Sequence, residues 1–144
     1  MEGRPRQKRM KQAFMKQYGS PPELWARAPG RVDLMGSHTD YNLGFVLTQA
    51  VDRETWIAAR AREDGSIRVC SMNVEGCGTF DLSDIRYNAK LPWTNYVGGV
   101  AAVFREEGYP VRGFDGLIDS TIPIGSGLSS SAALEVSTAV ILDE

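Results

Sequence analysis

The sequence predicts a single domain of the α+β class. Three observations lead to this class. Segments of strand-like composition run together in the middle of the chain, helical segments do not alternate regularly with them, and the 144 residues contain no internal repeat or linker. Apolar residues make up 42% of the chain and charged residues 24%, as in ordinary globular proteins, which excludes a disordered or fibrous protein.

The first element is predicted to be an amphipathic helix from Gln7 to Tyr18. Its large apolar side chains recur at every fourth residue and therefore share one face: Met10, Phe14 and Tyr18. Glycine, serine and two prolines at positions 19–22 end this helix. A short strand is expected from Leu24 to Arg27, followed by a loop from Ala28 to Arg31.

The middle of the chain is predicted to be mostly strand. Phe45 to Val51 is apolar and suited to a strand. Thr55 to Ala61 and Ile67 to Met72 flank a segment that contains Asp-Gly, which predicts a hairpin between them. Thr79 to Leu82 is a further candidate strand.

The last part of the chain predicts two more helices and a strand. Asn95 to Glu107 has its apolar residues on one helical face, and Gly116 to Ser120 is a short strand. A glycine-containing loop follows, and a helix begins at about Ser129. This helix reaches Glu144 without a stop signal, so we expect the chain to be the N-terminal part of a longer protein.

Charge and composition exclude several function classes. The formal net charge is −2, and the basic excess is confined to the first sixteen residues, so no global positive field would attract nucleic acid. The longest apolar stretch, Val97 to Phe104, is too short to cross a bilayer, and no secretory signal is present. Two cysteines do not make a disulfide framework, and a single histidine cannot complete a zinc cluster with them. A reducing, cytoplasmic setting is expected.

The loop at residues 121–135 indicates a phosphate-binding site. Gly125 and Gly127 allow a turn with positive φ and a close approach to a ligand. The serines that follow open a helix, whose N-terminal N–H groups and positive dipole end favour an anion. An ordinary capped helix after a glycine turn is the alternative. A Rossmann fingerprint would need a third glycine where Ser130 stands, and a Walker loop would need a lysine.

A second polar segment, residues 31–42, carries Arg31, the single histidine His38, and the side chains of Asp40 and Asn42. Carboxylate and amide oxygens next to hydroxyl groups are suited to binding a sugar. A solvated turn held by local Asp and Asn hydrogen bonds is an equally good interpretation of this segment alone.

Taken together, the two segments resemble the galactokinases of the GHMP kinase superfamily. Residues 28–42 resemble the galactokinase signature, and residues 123–133 resemble the ATP motif of the superfamily. Residues 93–97, with Gly99 just after them, resemble a further galactokinase stretch. The resemblance extends over most of the chain, from about Phe14 to Glu135. It implies a GHMP-type N-terminal domain over residues 1–144, with a mainly antiparallel or mixed sheet and helices packed on one side.

The resemblance also implies a reaction and a set of site residues. The family transfers the γ-phosphoryl group of ATP to the anomeric hydroxyl of a sugar with Mg²⁺, so the expected partners are a small-molecule sugar and ATP, without nucleic acid or membrane. Arg31 is implied beside the reacting hydroxyl, where a fixed cation stabilises developing charge. The sugar-binding stretch corresponds to Ser37, His38, Thr39 and Asp40. The nucleotide residues correspond to Ser71, Trp93, Gly125, Ser126, Gly127, Leu128, Ser129, Ser130 and Ser131, and Ser131 is also the implied Mg²⁺ ligand.

Three departures from the family pattern affect the expected function. Asp33 stands at the usual asparagine, and Ser37 stands at the usual glutamate of the sugar site. The family's catalytic aspartate and second Mg²⁺ ligand correspond to no residue of this chain, so we expect the isolated 144 residues to be inactive. Galactose is the first substrate candidate, and an arabinose- or uronate-type sugar is the second.

Two other function classes are alternatives to the sugar kinase. A non-catalytic sensor that binds sugar and ATP can lose part of the Ser-Ser-Ser-Ala stretch, which is intact here at residues 129–132. An RNA-binding α+β module would need a basic face with aromatic residues, and the chain after residue 16 is acidic. The sequence therefore favours the kinase.

Overall fold

The computed structural model describes residues 3–144, except for the side chains of residues 3, 4 and 40. The main elements, in chain order, are α1 (Gly3–Tyr18), β1 (Leu24–Met35), β2 (Leu47–Arg62), β3 (Ser66–Ser71), β4 (Cys77–Asp81), α2 (Asn95–Glu106), β5 (Gly113–Ser120) and α3 (Ser130–Asp143). All five strands belong to one sheet, which confirms the predicted α+β class. The three predicted helices are also present, with ends within a few residues of those expected.

The sheet is mixed, with the strand order β1-β2-β5-β3-β4. All neighbouring strands are antiparallel except β3 and β5, which are parallel. The predicted hairpin between β2 and β3 is therefore wrong, because β5 lies between these strands and pairs with both of them. The turn with Asp-Gly connects β2 and β3 without pairing them. Residues 113–119 of β5 are all buried, as expected for a central strand.

The helices cover both faces of the sheet. Side chains alternate along β2, so Ile57 and Ala59 join the larger core, which includes residues of α2 and α3, whereas Trp56 and Ala58 pack with α1. The prediction that helices pack on one side is thus correct for α2 and α3 and wrong for α1. On the α1 face, Met10 and Phe14 are fully buried, as their spacing predicted.

Two predicted boundaries in the first half of the sheet need correction. The loop expected from Ala28 to Arg31 lies within β1, whose pairing with β2 is irregular between Pro29 and Arg31. The segments expected as separate strands before and after residue 52 form one long strand, β2. The first half of β2 is exposed and the second half is buried, so its hydrophobic pattern changes along the strand.

The end of the sheet near the Asp-Gly turn contains a buried carboxylate with three arginine partners. The Asp115 side chain is fully buried and accepts hydrogen bonds from the guanidinium groups of Arg60, Arg62 and Arg68 at 2.7–3.0 Å. Burial acts to raise the pKa of Asp115, but these hydrogen bonds outweigh it and hold the pKa below the ordinary value. A charged residue can therefore occupy the central strand.

Cys70 and Cys77 form a disulfide between β3 and β4, a pairing that the sequence did not predict and that the expected reducing setting would not favour. The two residues are directly opposite in the antiparallel pair, with their Cα atoms 4.3 Å apart. Cross-strand positions bring side chains close in this way. Neither the number of cysteines nor their spacing along the chain revealed this pairing.

Within residues 3–144, no helix has the length and apolar character needed to cross a membrane.

Candidate functional site

A cavity of about 730 Å³ lies at the edge of the sheet where β3 and β5 end and α3 begins. The strands β3 and β5 are parallel, so their carboxyl ends meet at this edge, which is a common location for ligand sites in open sheets. The volume is within the usual range for a small-molecule site. Seven of the predicted nucleotide residues line the cavity: Ser71, Trp93, Gly125, Gly127, Ser129, Ser130 and Ser131. Ser126 and Leu128 do not line it.

The walls of the cavity differ in chemistry. Apolar and aromatic side chains form one part, including Val74, Trp93 and Tyr96, whereas hydroxyl groups and the glycine loop form another. No charged side chain lines the cavity among the residues that the structure describes. The indole Nε1 of Trp93 is buried and has no hydrogen-bond partner in the described part of the chain. A buried donor of this kind is costly unless a partner reaches it, which suits a bound ligand.

The glycine loop adopts a conformation that requires its two glycines. Gly125 and Gly127 have φ values of +74° and +75°, and a Cβ atom at either position would meet nothing within 4 Å. Glycine is thus required at these two positions by the backbone conformation and not by close packing against neighbouring atoms. The hydroxyl of Ser126 donates to the carbonyl of Pro123 at 2.8 Å and closes the turn. The role of Ser126 seen here is to hold the loop.

The N-terminus of α3 faces the cavity without a side-chain cap. Ser129 occupies the N-cap position with a left-handed backbone, and its side chain makes no capping hydrogen bond. Ser130 and Ser131, in the first turn of α3, also line the cavity. A helix end of this kind presents unpaired backbone N–H groups and a partial positive charge, which are suited to a phosphate.

Arg31 lies next to this helix end although it comes from β1. Its Nη1 donates to Oγ of Ser129 at 2.5 Å and lies 3.4 Å from Oδ1 of Asp33. Its backbone N–H donates to the carbonyl of Leu128 at 3.1 Å. A Cβ atom on Gly30 would lie 2.6 Å from the same carbonyl, so the strand approaches the glycine loop too closely for any other residue at that position. The two sequence motifs therefore meet at Arg31.

The predicted sugar-binding segment forms an exposed turn that does not line the cavity. The Thr39 hydroxyl lies within hydrogen-bond distance of the carbonyls of Gly36 and Phe45, at 2.9 and 2.7 Å. Nδ1 of His38 lies 2.6 Å from the hydroxyl of Tyr41. Gly36 has a φ of +93°, and a Cβ atom there would lie 2.6 Å from the carbonyl of Phe45.

The turn lies at the surface of the protein, where residues 37–39 and 41–45 are exposed. Ser37 is exposed, and the side chain of Asp40 lies outside what the structure describes. The neighbouring apolar side chains are exposed as well, and Leu43 and Phe45 are almost fully accessible. Of the predicted sugar-site and catalytic side chains that the structure describes, only Arg31 thus contacts the glycine loop.

Sequence reasoning missed the residues that join the two strand ends at the cavity. Asn73, just after β3, donates from its side chain to the carbonyl of Ser120 at 2.9 Å and accepts from the N–H of Ser120 at 2.7 Å. The hydroxyl of Ser120 also lies 2.9 Å from that of Thr55. The available signal was a polar residue two positions after the end of a strand. It becomes informative only once β3 and β5 are known to be parallel neighbours.

Two family models match separate parts of the chain. The galactokinase galactose-binding signature matches residues 12–61, and the N-terminal domain of GHMP kinases matches residues 95–144. The first match includes Arg31 and the turn that follows, and the second includes the glycine loop. A galactokinase from Chloroflexus aggregans is 52% identical to the chain over 124 residues. The chain belongs to the galactokinases of the GHMP kinase superfamily.

Solved structures agree with this assignment. The crystal structure of Lactococcus lactis galactokinase complexed with galactose covers 95% of the chain at 36% identity, with a TM-score of 0.86. A mevalonate kinase has a TM-score of 0.64 at 21% identity, which shows a shared fold alone. The alignment with the Chloroflexus relative covers 86% of this chain and 32% of that protein, so the chain spans about a third of its curated relatives.

Proposed function

We propose that the complete protein containing this chain transfers the γ-phosphoryl group of ATP to the anomeric hydroxyl of galactose. The observation that carries this proposal is the 2.5 Å hydrogen bond from Arg31 to Ser129. It joins the strand that bears the galactose-binding signature to the N-terminus of α3, where a phosphate would bind. A cation at the junction between a sugar and a phosphate is suited to phosphoryl transfer, which depends mainly on positioning and electrostatics.

The cavity fits the nucleotide in this proposal. The aromatic side chains of Trp93 and Tyr96 are suited to the base, and Ser71 lines the same cavity. The phosphates would bind across Gly125 and Gly127 at the N-terminus of α3, where backbone N–H groups donate to anionic oxygens. ATP and Mg²⁺ are therefore the proposed cosubstrate and metal ion.

The chain offers limited coordination for the metal ion. No cluster of three or more His, Cys, Asp or Glu side chains suited to a metal occurs among the described residues. The hydroxyl of Ser131 lines the cavity and is a hard oxygen donor, which fits an ion held chiefly by the phosphates. When bound, Mg²⁺ would neutralise phosphate charge during transfer.

Arg31 and the turn that follows β1 have the remaining roles in the proposed reaction. Arg31 stabilises the charge that develops between the sugar oxygen and the phosphoryl group, and the turn containing Ser37, His38, Thr39 and Asp40 binds the sugar.

Residues 1–144 are the N-terminal sugar- and ATP-binding part of the protein, and the general base is contributed by residues outside this chain. We place the activity in the cytoplasm because its cosubstrate is ATP. The proposed partners are small molecules only.

A coupled assay of ADP formation tests the proposal on the complete protein. We expect ADP release that requires both Mg²⁺ and galactose. The matched control is 1-deoxygalactose, which has every hydroxyl of galactose except the anomeric one and should release no ADP above background. ADP release that does not depend on a sugar, or equal release with 1-deoxygalactose, would contradict the proposed reaction.

One residue favours a second substrate candidate. Ser37 is shorter than the glutamate usual at its position and carries no charge. If a sugar hydroxyl loses its partner there, the expected cost is about 1–3 kcal/mol, roughly tenfold to a hundredfold in affinity. An arabinose- or uronate-type sugar would then compete with galactose. Measuring kcat/KM for galactose, arabinose and galacturonate, with Ser37→Glu alongside, distinguishes these sugars. A strong galactose preference that Ser37→Glu leaves unchanged would exclude a role for Ser37 in specificity.

A further inference from the structure

We propose that Asp33 and Ser129 are a positioning pair that fixes the guanidinium of Arg31 through its Nη1 atom. The Nη1 atom of Arg31 contacts both partners, at 3.4 Å from Oδ1 of Asp33 and 2.5 Å from Oγ of Ser129. Asp33 precedes the turn on β1, whereas Ser129 precedes α3, so the pair connects two distant parts of the chain. The expected effect of this pair on kcat rests on the function proposed above, whereas the contacts of the pair with Arg31 do not.

Ser129 has an unusual arrangement for a serine at a helix start. Serine at an N-cap usually accepts a hydrogen bond from the first turn of its helix, but the side chain of Ser129 makes no such bond. Its φ of +59° lies in the left-handed region, which is unfavourable for residues with a Cβ atom. The hydroxyl is thus directed to Arg31, and the N–H groups of the first turn of α3 receive no hydrogen bond from it.

This arrangement changes the role predicted for Ser129. Its Oγ accepts a hydrogen bond from the guanidinium, which ties the side chain to Arg31 and leaves the hydroxyl proton able to donate. The helix N–H groups, with Ser130 and Ser131, would form the rest of the phosphate side of the site. Ser129 acts on the reaction through Arg31, so it is a positioning residue.

Asp33 contributes a negative charge next to the same guanidinium nitrogen. Its Oδ1 atom is buried and accepts no hydrogen bond from the described residues, so its contact with Arg31 at 3.4 Å is an ion pair without a hydrogen bond. The attraction between these opposite charges is strengthened by partial burial, since the Asp33 side chain is 26% exposed. The carboxylate therefore limits where the guanidinium can lie and keeps it close to the α3 terminus.

A double-mutant cycle in the complete protein tests the effect of the pair on kcat. Asp33→Asn keeps the shape of the side chain and removes its charge. We expect it to lower kcat about tenfold to a hundredfold, the scale of a misplaced catalytic group, with KM for ATP and sugar changed less than about threefold. In an Arg31→Lys background the same change should alter kcat less than about twofold, because the group it positions is gone.

The cycle includes a second variant and a matched control. Ser129→Ala should behave like Asp33→Asn, including the loss of its effect in the Arg31→Lys background. The control is Asp52→Asn, which removes a carboxylate that is 90% exposed on β2 and pairs with its neighbour Arg53. It should leave kcat unchanged. An unchanged kcat for Asp33→Asn in active enzyme, or the same loss with and without Arg31, would overturn the positioning role.

A second measurement tests the pair whether or not the complete protein phosphorylates galactose. In protein labelled with ¹⁵N-arginine, the Arg31 signals are assigned by their loss in Arg31→Lys. We expect resolved, slowly exchanging Nη signals in the wild type and averaged signals in both Asp33→Asn and Ser129→Ala. Averaged signals in the wild type, or no change in the two variants, would overturn the pair. A wild type that is inactive but has resolved signals would contradict the proposed function alone.

Discussion

The guanidinium of Arg31 has neighbours from two distant parts of the chain. The sequence identified Arg31, His38 and Ser129 as separate members of two motifs, because each residue type fits a known chemistry in its local pattern. The sequence cannot show which of these residues are in contact, because Arg31 and Ser129 are 98 positions apart in the chain. The structure brings Arg31 to Ser129 and leaves His38 in a turn with Tyr41.

The first prediction concerns the shape of the Arg31 side chain. Arg31→Lys keeps a positive charge but removes the planar guanidinium, whose Nη1 atom contacts Ser129 and Asp33. We expect kcat of the complete protein to fall by about two to three orders of magnitude, the scale of losing one transition-state donor. Steady-state kinetics check this. An unchanged kcat with a raised KM would instead assign Arg31 to ordinary substrate binding.

At the scale of elements, the helix α3 and the loop before it were the parts best predicted from sequence. Two glycines followed by serines predicted a turn and a helix start, and both are present. This prediction succeeded because positive φ and helix capping are local properties of the chain. The course of β1 was predicted less well, since Pro29 and Gly30 usually indicate a loop but here occur at an irregular point within a strand.

The second prediction concerns the conformation of the glycine loop. Gly127→Val forces a β-branched side chain into a position with a φ of +75° and open space around it. We expect ATP binding, measured by calorimetry on the complete protein, to fall below detection. The matched control is Gly65→Val, which introduces the same strain at a φ of +66°, also in open space, in the turn between β2 and β3. Similar stability loss with retained ATP binding in both variants would mean that the loop is structural only.

At the scale of the whole molecule, the order of the strands could not be predicted from the sequence. The Asp-Gly turn predicted a hairpin, but pairing depends on which segment fills the centre of the sheet. β5 carries Asp115 and Asp119, which are unusual in a central strand, and the predicted strand began only after Asp115. The arginines that pair with these aspartates come from α1, β2 and β3, so their compensating effect is not visible in the local sequence.

The third prediction concerns the contribution of Asp115 to stability. Asp115→Asn leaves three arginines without their shared carboxylate, and we expect the free energy of unfolding at pH 7 to fall by about 3 kcal/mol. The pKa of Asp115 is lowered in the folded protein, so its stabilising effect is present above the unfolded pKa, about 4, and is lost as the pH falls through the lower folded pKa.

Urea unfolding from pH 7 down to pH 3 measures this dependence. The difference in the free energy of unfolding between wild type and Asp115→Asn should become smaller as the pH falls below about 4. Asp84→Asn is the control, because it removes an exposed carboxylate that pairs with Arg86 at the surface, and its effect should be small at every pH. A difference that stays constant or widens towards low pH would contradict the proposed charge pairing.

The central claim is that the sugar strand and the phosphate loop serve one phosphoryl transfer to the anomeric oxygen. The most direct measurement is ³¹P NMR of the product formed by the complete protein from galactose, ATP and Mg²⁺. We predict a new phosphomonoester signal whose phosphorus is coupled to the anomeric proton of the sugar. A phosphate coupled to the protons at carbon 6, or release of inorganic phosphate without a sugar phosphate, would contradict the claim.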